Sequence, residues 1–246
     1  MYKVLVFGIT ENPGGVEAFL VNYYRKIDRT KIQFDFLCNT HNKVAYENEL
    51  KSLGGQVIHI AMRSKEPIKY RQELKQFMEQ HASEYQAVWV NVCSLGNIDY
   101  LKVAKKYGIQ KRIIHSHNSQ NMDNRIRKIL HMINRRKIDQ YATDFWACSD
   151  DAAKWFYKDA LQSKVVIIKN AIELENVGFS KEKREVLRNK YGISDKFVIG
   201  NVGRLHFQKN QMFALEIMKY LSKKIPDSVL MLVGQGEDEK LSLIHI

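Results

Sequence analysis

The feature that most constrains the fold is the alternation of short apolar segments, rich in β-branched residues, with longer segments of helical period. Such alternation along a whole chain is typical of a parallel sheet wound with helices. The predicted strands are residues 3–7, 34–37, 57–60, 87–92, 112–115, 145–148 and 165–168. The predicted helices are residues 16–26, 45–53, 68–81, 97–107, 124–141 and 150–158. The sequence therefore predicts one complete, doubly wound α/β domain over residues 1–170.

A second set of elements begins late in the chain. We expect a linker and a connecting helix over residues 171–195, followed by the start of a second Rossmann-like domain over residues 196–246. That start contains predicted strands at 197–201 and 229–233, with a helix at 210–223 between them. Two parallel strands cannot bury both faces of a sheet, so we expect the second domain to be truncated in this chain.

Composition narrows the possible partners and the compartment. A net charge of +12 calls for an anionic partner, which can be nucleic acid, an anionic lipid surface or an anionic substrate. No segment approaches the roughly 20 apolar residues that span a bilayer, and the first apolar run is too short for a signal peptide. These features predict a cytoplasmic protein, in which Cys38, Cys93 and Cys148 are expected to be buried, reduced thiols.

Two adjacent glycines, Gly14 and Gly15, lie between the first predicted strand and the first helix. Glycine allows a ligand to approach the backbone closely, and the free N–H groups of a helix start favour an anion. The loop matches neither Gly-x-Gly-x-x-Gly nor the Gly-Lys-Ser/Thr of a P-loop, which argues against a dehydrogenase or an NTPase. A tight turn without a ligand is the alternative. Glu17 is predicted to stabilise the helix start.

Two histidines, His115 and His117, lie at the carboxyl end of the fifth predicted strand, where open α/β sheets bind their ligands. Residues two apart in a strand point to the same face. A zinc pair is one alternative, but no cluster of carboxylates or cysteines accompanies the two residues. We expect a histidine that hydrogen-bonds to a substrate, and the pattern leaves open which of the two it is.

Arg204 and Lys209 follow a predicted strand and a turn at Gly203, and they precede a helix. Two cations beside a helix start suit a diphosphate, because each charge-assisted hydrogen bond contributes roughly 1.5–3 kcal/mol. Solvated surface charges are the alternative. The chain contains no Asp-x-Asp motif for a metal-bound diphosphate, so we expect no metal and no cofactor.

Taken together, four ordered motifs resemble the retaining glycosyltransferases of family four, which have the GT-B fold of two Rossmann-like domains, and bacterial exopolysaccharide and capsule enzymes in particular. The motifs are Gly14-Gly15-Val16-Glu17, His115-Ser116-His117-Asn118, Ala147-Cys148-Ser149 with Ala152-Ala153, and Val202-Gly203-Arg204-Leu205 with Gln208-Lys209-Asn210. The resemblance implies that His117 contacts the transferred sugar and that Arg204 and Lys209 hold the leaving diphosphate. It also implies substrate-binding positions at Gly14, Gly15, His115, Asn118 and Ser149.

The resemblance further implies the reaction. A sugar is transferred from a nucleoside-diphosphate sugar to a saccharide or lipid-linked acceptor, without metal and with retention of configuration. The family's pair of donor-gripping glutamates would lie beyond residue 246. Two alternatives remain: a non-catalytic fragment that binds a sugar nucleotide, and a basic nucleic-acid-binding protein. The second lacks any motif that reads RNA or DNA.

The segment from Lys102 to Lys137 is strongly basic, with Asp123 as its single acidic residue. Apolar residues recur in it at helical spacing, at Ile126, Ile129, Leu130 and Ile133. The pattern favours a helix that packs this stripe into its own core while the charges are solvated. The functional alternative is docking on an anionic membrane, at the inner face of the cell membrane, where a lipid-linked acceptor would be found.

Overall fold

A computed structural model describes residues 1–120 and 125–236, and the chain divides into two compact units, Met1–Glu173 and Leu174–Ile246. The first unit contains a seven-stranded parallel sheet in the order β3-β2-β1-β4-β5-β6-β7. Its strands are β1 (Tyr2–Phe7), β2 (Ile32–Cys38), β3 (Val57–His59), β4 (Ala87–Val92), β5 (Lys111–Ser116), β6 (Asp144–Ala147) and β7 (Val165–Ile167). Its helices are α1 (Gly15–Lys26), α2 (Glu47–Ser52), α3 (Pro67–His81), α4 (Asp99–Lys106), α5 (Arg125–Lys137) and α6 (Asp150–Phe156).

The predicted doubly wound α/β class is confirmed, and the element boundaries differ for local reasons. Strand β2 begins two residues earlier than predicted, because Ile32 pairs with Tyr2 at the start of β1. Helix α2 begins at Glu47 instead of residue 45, because Tyr46 has a positive φ of 59° that no helix interior accommodates. Hydrophobic spacing does not report such backbone conformations.

Helices pack on both faces of the sheet, as is usual for a parallel sheet. Leu5 and Phe7 of β1 point into a core shared with α3, α4 and α6. Val4 and Val6 point to the opposite face, where α1 and α2 pack. Burial of each such side chain contributes roughly 1.5–3 kcal/mol and holds the strands in the sheet. All seven strands run parallel, so their carboxyl ends lie at one edge.

The face that carries α1 also has an open apolar groove of about 640 Å³. Its walls include Tyr23 of α1, Trp89 of β4, Ile113 of β5 and Trp146 of β6. Most of its strand residues come from the amino-terminal halves of the strands, as Tyr2, Ile32 and Lys111 do. The groove therefore opens at the end of the sheet opposite to the edge where parallel sheets place their ligands.

The expectation that the apolar stripe of α5 packs into the core was wrong. Ile126, Ile129 and Ile133 are exposed, Leu130 is partly buried, and His131 is the buried residue of the helix. The helix is instead held to the unit through polar side chains on its other side. The apolar residues of α5 therefore do not form the face by which the helix packs on the unit.

The second unit contains α7 (Leu174–Val177), α8 (Lys181–Lys190), β8 (Phe197–Val202), α9 (Gln211–Lys224) and β9 (Ser228–Val233). Strands β8 and β9 pair in parallel and in register from Phe197–Ser228 to Val202–Val233. The short helix α7 lies in a segment for which the sequence shows no clear period. Within the described residues this sheet has two strands, as the sequence predicts.

No disulfide joins the three cysteines, all of which lie in the described part of the chain. Cys38 is buried as expected, and burial raises the pKa of its thiol to about 12. Cys93 is exposed and Cys148 only partly buried, so the expectation of burial was wrong for Cys93. None of the described helices is both long and apolar enough to cross a bilayer.

Candidate functional site

The carboxyl ends of β1, β4 and β5 bring together residues that are far apart in the sequence. His117 lies directly after β5, and its ring centroid is 4.9 Å from that of Phe19 on α1. Asn91 of β4 is hydrogen-bonded to His117. Gly8 follows β1 with φ of +137°, and a Cβ added there would lie 2.7 Å from the Cβ of Asn91. We call Gly8, Phe19, Asn91 and His117 the carboxyl-edge cluster.

Asn91 fixes the proton position of His117. Its side-chain nitrogen donates hydrogen bonds to the carbonyl oxygens of Phe7 at 3.1 Å and Trp89 at 3.3 Å. Its Oδ1 therefore faces Nε2 of His117, at 2.9 Å. Because this oxygen can only accept, Nε2 carries the proton and Nδ1 of the neutral ring is the acceptor. Burial lowers the pKa of His117 from 6.5 to about 4, so the ring is neutral at pH 7.

His115 lies on the same face but inside the core, with no exposed surface. Its ring stacks on Trp89 at 6.0 Å and meets Phe19 edge-on at 5.1 Å and Trp146 at 6.0 Å. Within the described residues neither ring nitrogen has a hydrogen-bond partner. Burial, and secondarily the nearby His117, lowers the pKa of His115 to about 2. The predicted substrate contact at His115 stays a prediction, and its burial argues for His117 as the residue that faces a ligand.

The two predicted glycines form the start of α1. Gly14 caps the helix without a side-chain hydrogen bond, and Gly15 is its first residue. A Cβ at Gly15 would meet nothing within 4 Å, whereas one at Gly14 would lie 2.8 Å from a carboxylate oxygen of Glu17. Glu17 is buried and accepts a hydrogen bond from Thr10 Oγ1 at 2.5 Å. The helix start is therefore tied back to the loop that precedes it, and its N–H groups suit an anion.

Asn118 and Ser149 both make local hydrogen bonds. Asn118 Oδ1 accepts from the backbone N–H of Ser119 at 2.9 Å. Ser149 is the N-cap of α6, where its Oγ accepts from the N–H of Ala152 at 3.2 Å. Each follows a strand of the sheet, β5 and β6 respectively. Their predicted contacts with substrate stay predictions, and capping accounts for the choice of serine at position 149.

In the second unit, Arg204 and Lys209 both belong to the loop between β8 and α9, and both are exposed. Gly203 has φ of +157°, and a Cβ there would lie 3.3 Å from Cε of Lys209, so the lysine stem crosses this turn. A Cβ at Gly234 would overlap the carbonyl oxygen of Gly203. The structure therefore packs the glycine turn after β9 against the one after β8, and the two cations follow this packed turn.

A metal site finds no support among the described residues, which contain no group of three or more histidine, cysteine or acidic side chains that could hold an ion. His115 and His117 have rings 4.1 Å apart but differ in depth, and one nitrogen of His117 already has Asn91 as its partner. The zinc alternative raised by their spacing is not supported by this geometry.

The sequence pattern does not predict Asn91 or Thr10 as part of this edge. The available signal for Asn91 was a polar residue one position before the end of the otherwise apolar strand β4. Its contact with His117 became visible only with the strand register, which places Asn91 opposite His115, two residues before His117. Thr10 and Glu17 are seven residues apart in a loop and a helix, and no periodicity links them.

The comparisons with known proteins agree with this architecture. No protein-family model matches the chain. EpsF of Bacillus subtilis strain 168, a protein named as a glycosyltransferase, is 28% identical over 234 residues, which are 92% of this chain and 60% of EpsF. An Escherichia coli enzyme named UDP-Gal:alpha-D-GlcNAc-diphosphoundecaprenol alpha-1,3-galactosyltransferase is 36% identical over 87 residues, which are 34% of this chain and 22% of that protein.

Among solved structures, Anabaena HepE in complex with UDP and glucose is similar over 99% of this chain and 64% of the HepE chain, with a TM-score of 0.72 and 17% identity. Identity this low shows the fold alone. The fold is GT-B. EpsF, which is named as a glycosyltransferase, is similar in sequence to nearly the whole length of this chain. The chain spans about 60% of the length of EpsF, so the activity of the whole protein is a matter for proposal.

Proposed function

We propose that this chain forms the acceptor-side domain and the start of the donor-binding domain of a retaining, metal-independent glycosyltransferase of family four. The enzyme transfers a sugar from a nucleoside-diphosphate sugar to a saccharide acceptor carried on a lipid. It works in the cytoplasm, at the inner face of the cell membrane, in exopolysaccharide or capsule biosynthesis. EpsF and the Escherichia coli galactosyltransferase, whose name gives a diphosphoundecaprenol acceptor, support this class of reaction, because both are similar to this chain in sequence.

The observation that carries the proposal is the neutral His117 at the carboxyl edge. Its Nε2 is occupied by Asn91, so Nδ1 is left as an acceptor. A sugar hydroxyl group is a donor of matching chemistry, whereas a phosphate oxygen is not, because both atoms would be acceptors. His117 thus suits the transferred sugar and does not suit the diphosphate.

The diphosphate requires positive charge, which the second unit supplies. Breaking the sugar–phosphate bond builds negative charge on the leaving nucleoside diphosphate, so cations placed there stabilise the transition state more than the ground state. Arg204 and Lys209 take this role. No metal is required for this stabilisation. UDP and UDP-glucose, both found with HepE, are suitable donor-side probes.

The decisive experiment is turnover by Arg204→Ala and Arg204→Lys in the full-length protein that contains this chain. Arg204→Ala is expected to reduce kcat roughly 10²- to 10³-fold, the scale seen when one donor to a developing anion is removed. Arg204→Lys should recover only part of that loss, because an ammonium group lacks the planar fork that binds two oxygens. Lys219→Ala, which removes an exposed cation of α9 outside this loop, is the matched control and should retain full turnover.

Thermal unfolding on the same preparations separates the outcomes. Reduced kcat with an unchanged Tm supports the diphosphate role. Near-normal turnover in both variants would make Arg204 a surface charge, and early melting of both would make it a structural residue. Donor binding is measured by titrating UDP-glucose in the presence of chelator. Binding that disappears with chelator and returns with Mg²⁺ would overturn the metal-free assignment. Donor binding without any turnover would favour the non-catalytic alternative.

A further inference from the structure

Helix α5 presents an apolar surface that nothing in the described chain covers. Ile126 is 70% exposed, Ile129 60% and Ile133 47%. On a helix of 3.6 residues per turn, residues 126, 129 and 133 lie on one face. Together with Met132, at 48%, they form what we call the α5 surface. Contiguous exposed apolar residues of this kind mark an interaction site more often than scattered single ones do.

Polar contacts hold the opposite side of the helix against the unit, so the α5 surface faces outward. His131 is buried, and its Nδ1 accepts a hydrogen bond from the backbone N–H of Leu95 at 3.0 Å. Asn134 donates to the carbonyl oxygen of the same Leu95 at 2.6 Å. Arg135 donates to the carbonyl oxygen of Tyr157 at 2.5 Å. Turning the helix to bury its isoleucines would break all three contacts.

Positive charge surrounds the apolar residues. The helix has no acidic residue and six basic ones, which are Arg125, Arg127, Lys128, Arg135, Arg136 and Lys137. Lys128 and Arg136 border the same shallow groove as Ile129, Met132 and Ile133. An amphipathic helix with isoleucines flanked by arginine and lysine combines the two forces that hold helices at an anionic lipid surface, which are apolar burial and charge attraction.

We propose that the α5 surface docks on an anionic lipid bilayer, with the helix lying in the plane of the interface. Nucleic acid would satisfy the basic residues but would leave three exposed isoleucines in water, because phosphate groups offer them no apolar contact. A second copy of the chain would satisfy the isoleucines. A two-fold dimer, however, would place two helices with six positive charges each against one another. A bilayer with anionic headgroups satisfies both sets of residues.

The position of the helix gives the docking a purpose. Leu95, to which His131 and Asn134 are bonded, follows β4 by three residues, at the same edge of the sheet as Asn91 and His117. The α5 surface is therefore joined to the edge where we place the substrate. This purpose rests on the proposed function, since only a lipid-linked acceptor needs the edge to be held near a membrane. The docking itself is independent of sugar transfer.

The test is co-sedimentation of the full chain with vesicles of phosphatidylcholine containing one third phosphatidylglycerol, at low salt, compared with vesicles of phosphatidylcholine alone. Wild type is expected to bind the anionic vesicles. Ile129→Ser/Ile133→Ser and Lys128→Glu/Arg136→Glu should each weaken that binding at least tenfold. The matched controls are Ile68→Ser, at a 72% exposed isoleucine of α3, and Lys219→Glu in the second unit, and both should bind as wild type does. An unchanged Tm establishes that the α5 variants are folded.

Each other outcome overturns the proposal in a recognisable way. Equal vesicle binding by wild type and both α5 variants would remove α5 from the interaction. A wild-type dimer in sedimentation velocity that becomes a monomer in Ile129→Ser/Ile133→Ser would assign the surface to a second copy. Binding to a 20-base-pair duplex but not to vesicles would assign it to nucleic acid. UDP-glucose titration of the full-length protein fails or succeeds independently of these results, so loss of the glycosyltransferase assignment and loss of the membrane surface are distinguishable.

Discussion

The buried His115 makes the stability of the amino-terminal unit depend on pH in a calculable way. Its imidazole is enclosed by Phe19, Trp89 and Trp146, and burial is the main reason that its pKa falls from 6.5 to about 2. In the unfolded chain the same ring takes up a proton near pH 6.5. The unfolded state therefore binds more protons than the folded state between these two pKa values, and stability falls as the pH is lowered through this window.

The size of the effect follows from the same two pKa values. Lowering the pH from 7 to 5 protonates the unfolded ring almost completely and leaves the folded ring neutral, which costs about 2 kcal/mol. His117, whose pKa in the folded protein is about 4, adds a similar loss over this interval. Wild type should thus lose about 4 kcal/mol from these two rings, and His115→Phe should lose only about 2. Carboxyl groups with lowered pKa, such as Glu11 and Glu84, titrate below this window in both proteins.

Urea unfolding at pH 7 and pH 5, followed by tryptophan fluorescence, measures this difference. The three tryptophans of the chain, Trp89, Trp146 and Trp155, all lie in the amino-terminal unit, so the signal reports on that unit alone. Because each protein is compared with itself at two pH values, any change in packing caused by the phenylalanine ring cancels. If wild type and His115→Phe lost the same stability on acidification, His115 would not be a buried neutral ring, and the reasoning would be refuted.

Two further predictions concern the residues around His117. Gly8→Ala should destabilise the unit by about 2–5 kcal/mol, because alanine is strained at this positive φ and its Cβ would collide with Asn91. The control Gly108→Ala shares a positive φ but meets no atom within 4 Å, so it should cost only about 1–2 kcal/mol in the same urea assay. Asn91→Asp should raise the pKa of His117 by about 1–3 units, because a carboxylate favours the charged ring. NMR titration of the imidazole checks this, and an unshifted pKa would contradict the contact at 2.9 Å.

The alternation of apolar and helical segments predicted nearly every element, because burial on both faces of a parallel sheet leaves a clear pattern in the sequence. The pattern also placed His117 correctly at the carboxyl end of a strand. It could not reveal Asn91 as its partner, since the contact depends on the register of β4 against β5. Register is set by the packing of whole strands, which no local spacing reports.

The error at α5 has a different physical origin. A stripe of isoleucines at helical spacing predicts burial when the rest of the helix is polar, because apolar burial usually outweighs single hydrogen bonds. Here the polar side provides several partners at once, with His131 and Asn134 bonded to opposite ends of the Leu95 backbone. Histidine and asparagine in a basic helix look like solvated residues in the sequence. The sequence predicted the amphipathic helix correctly, but it could not show which face of the helix is buried.

The pKa values also determine how His117 can take part in binding. Nδ1 can accept a hydrogen bond from a sugar only while it is unprotonated, and the pKa of about 4 keeps it so throughout the range from pH 5 to pH 8. The proposed contact with the sugar should therefore be insensitive to pH in that range, although His115 and His117 make the fold less stable as the pH falls. Activity lost between pH 7 and pH 5 would then follow the unfolding curve. A loss of donor affinity in protein that is still folded at pH 5 would mean that His117 titrates there, and that Asn91 does not fix its proton in the way the hydrogen bonds indicate.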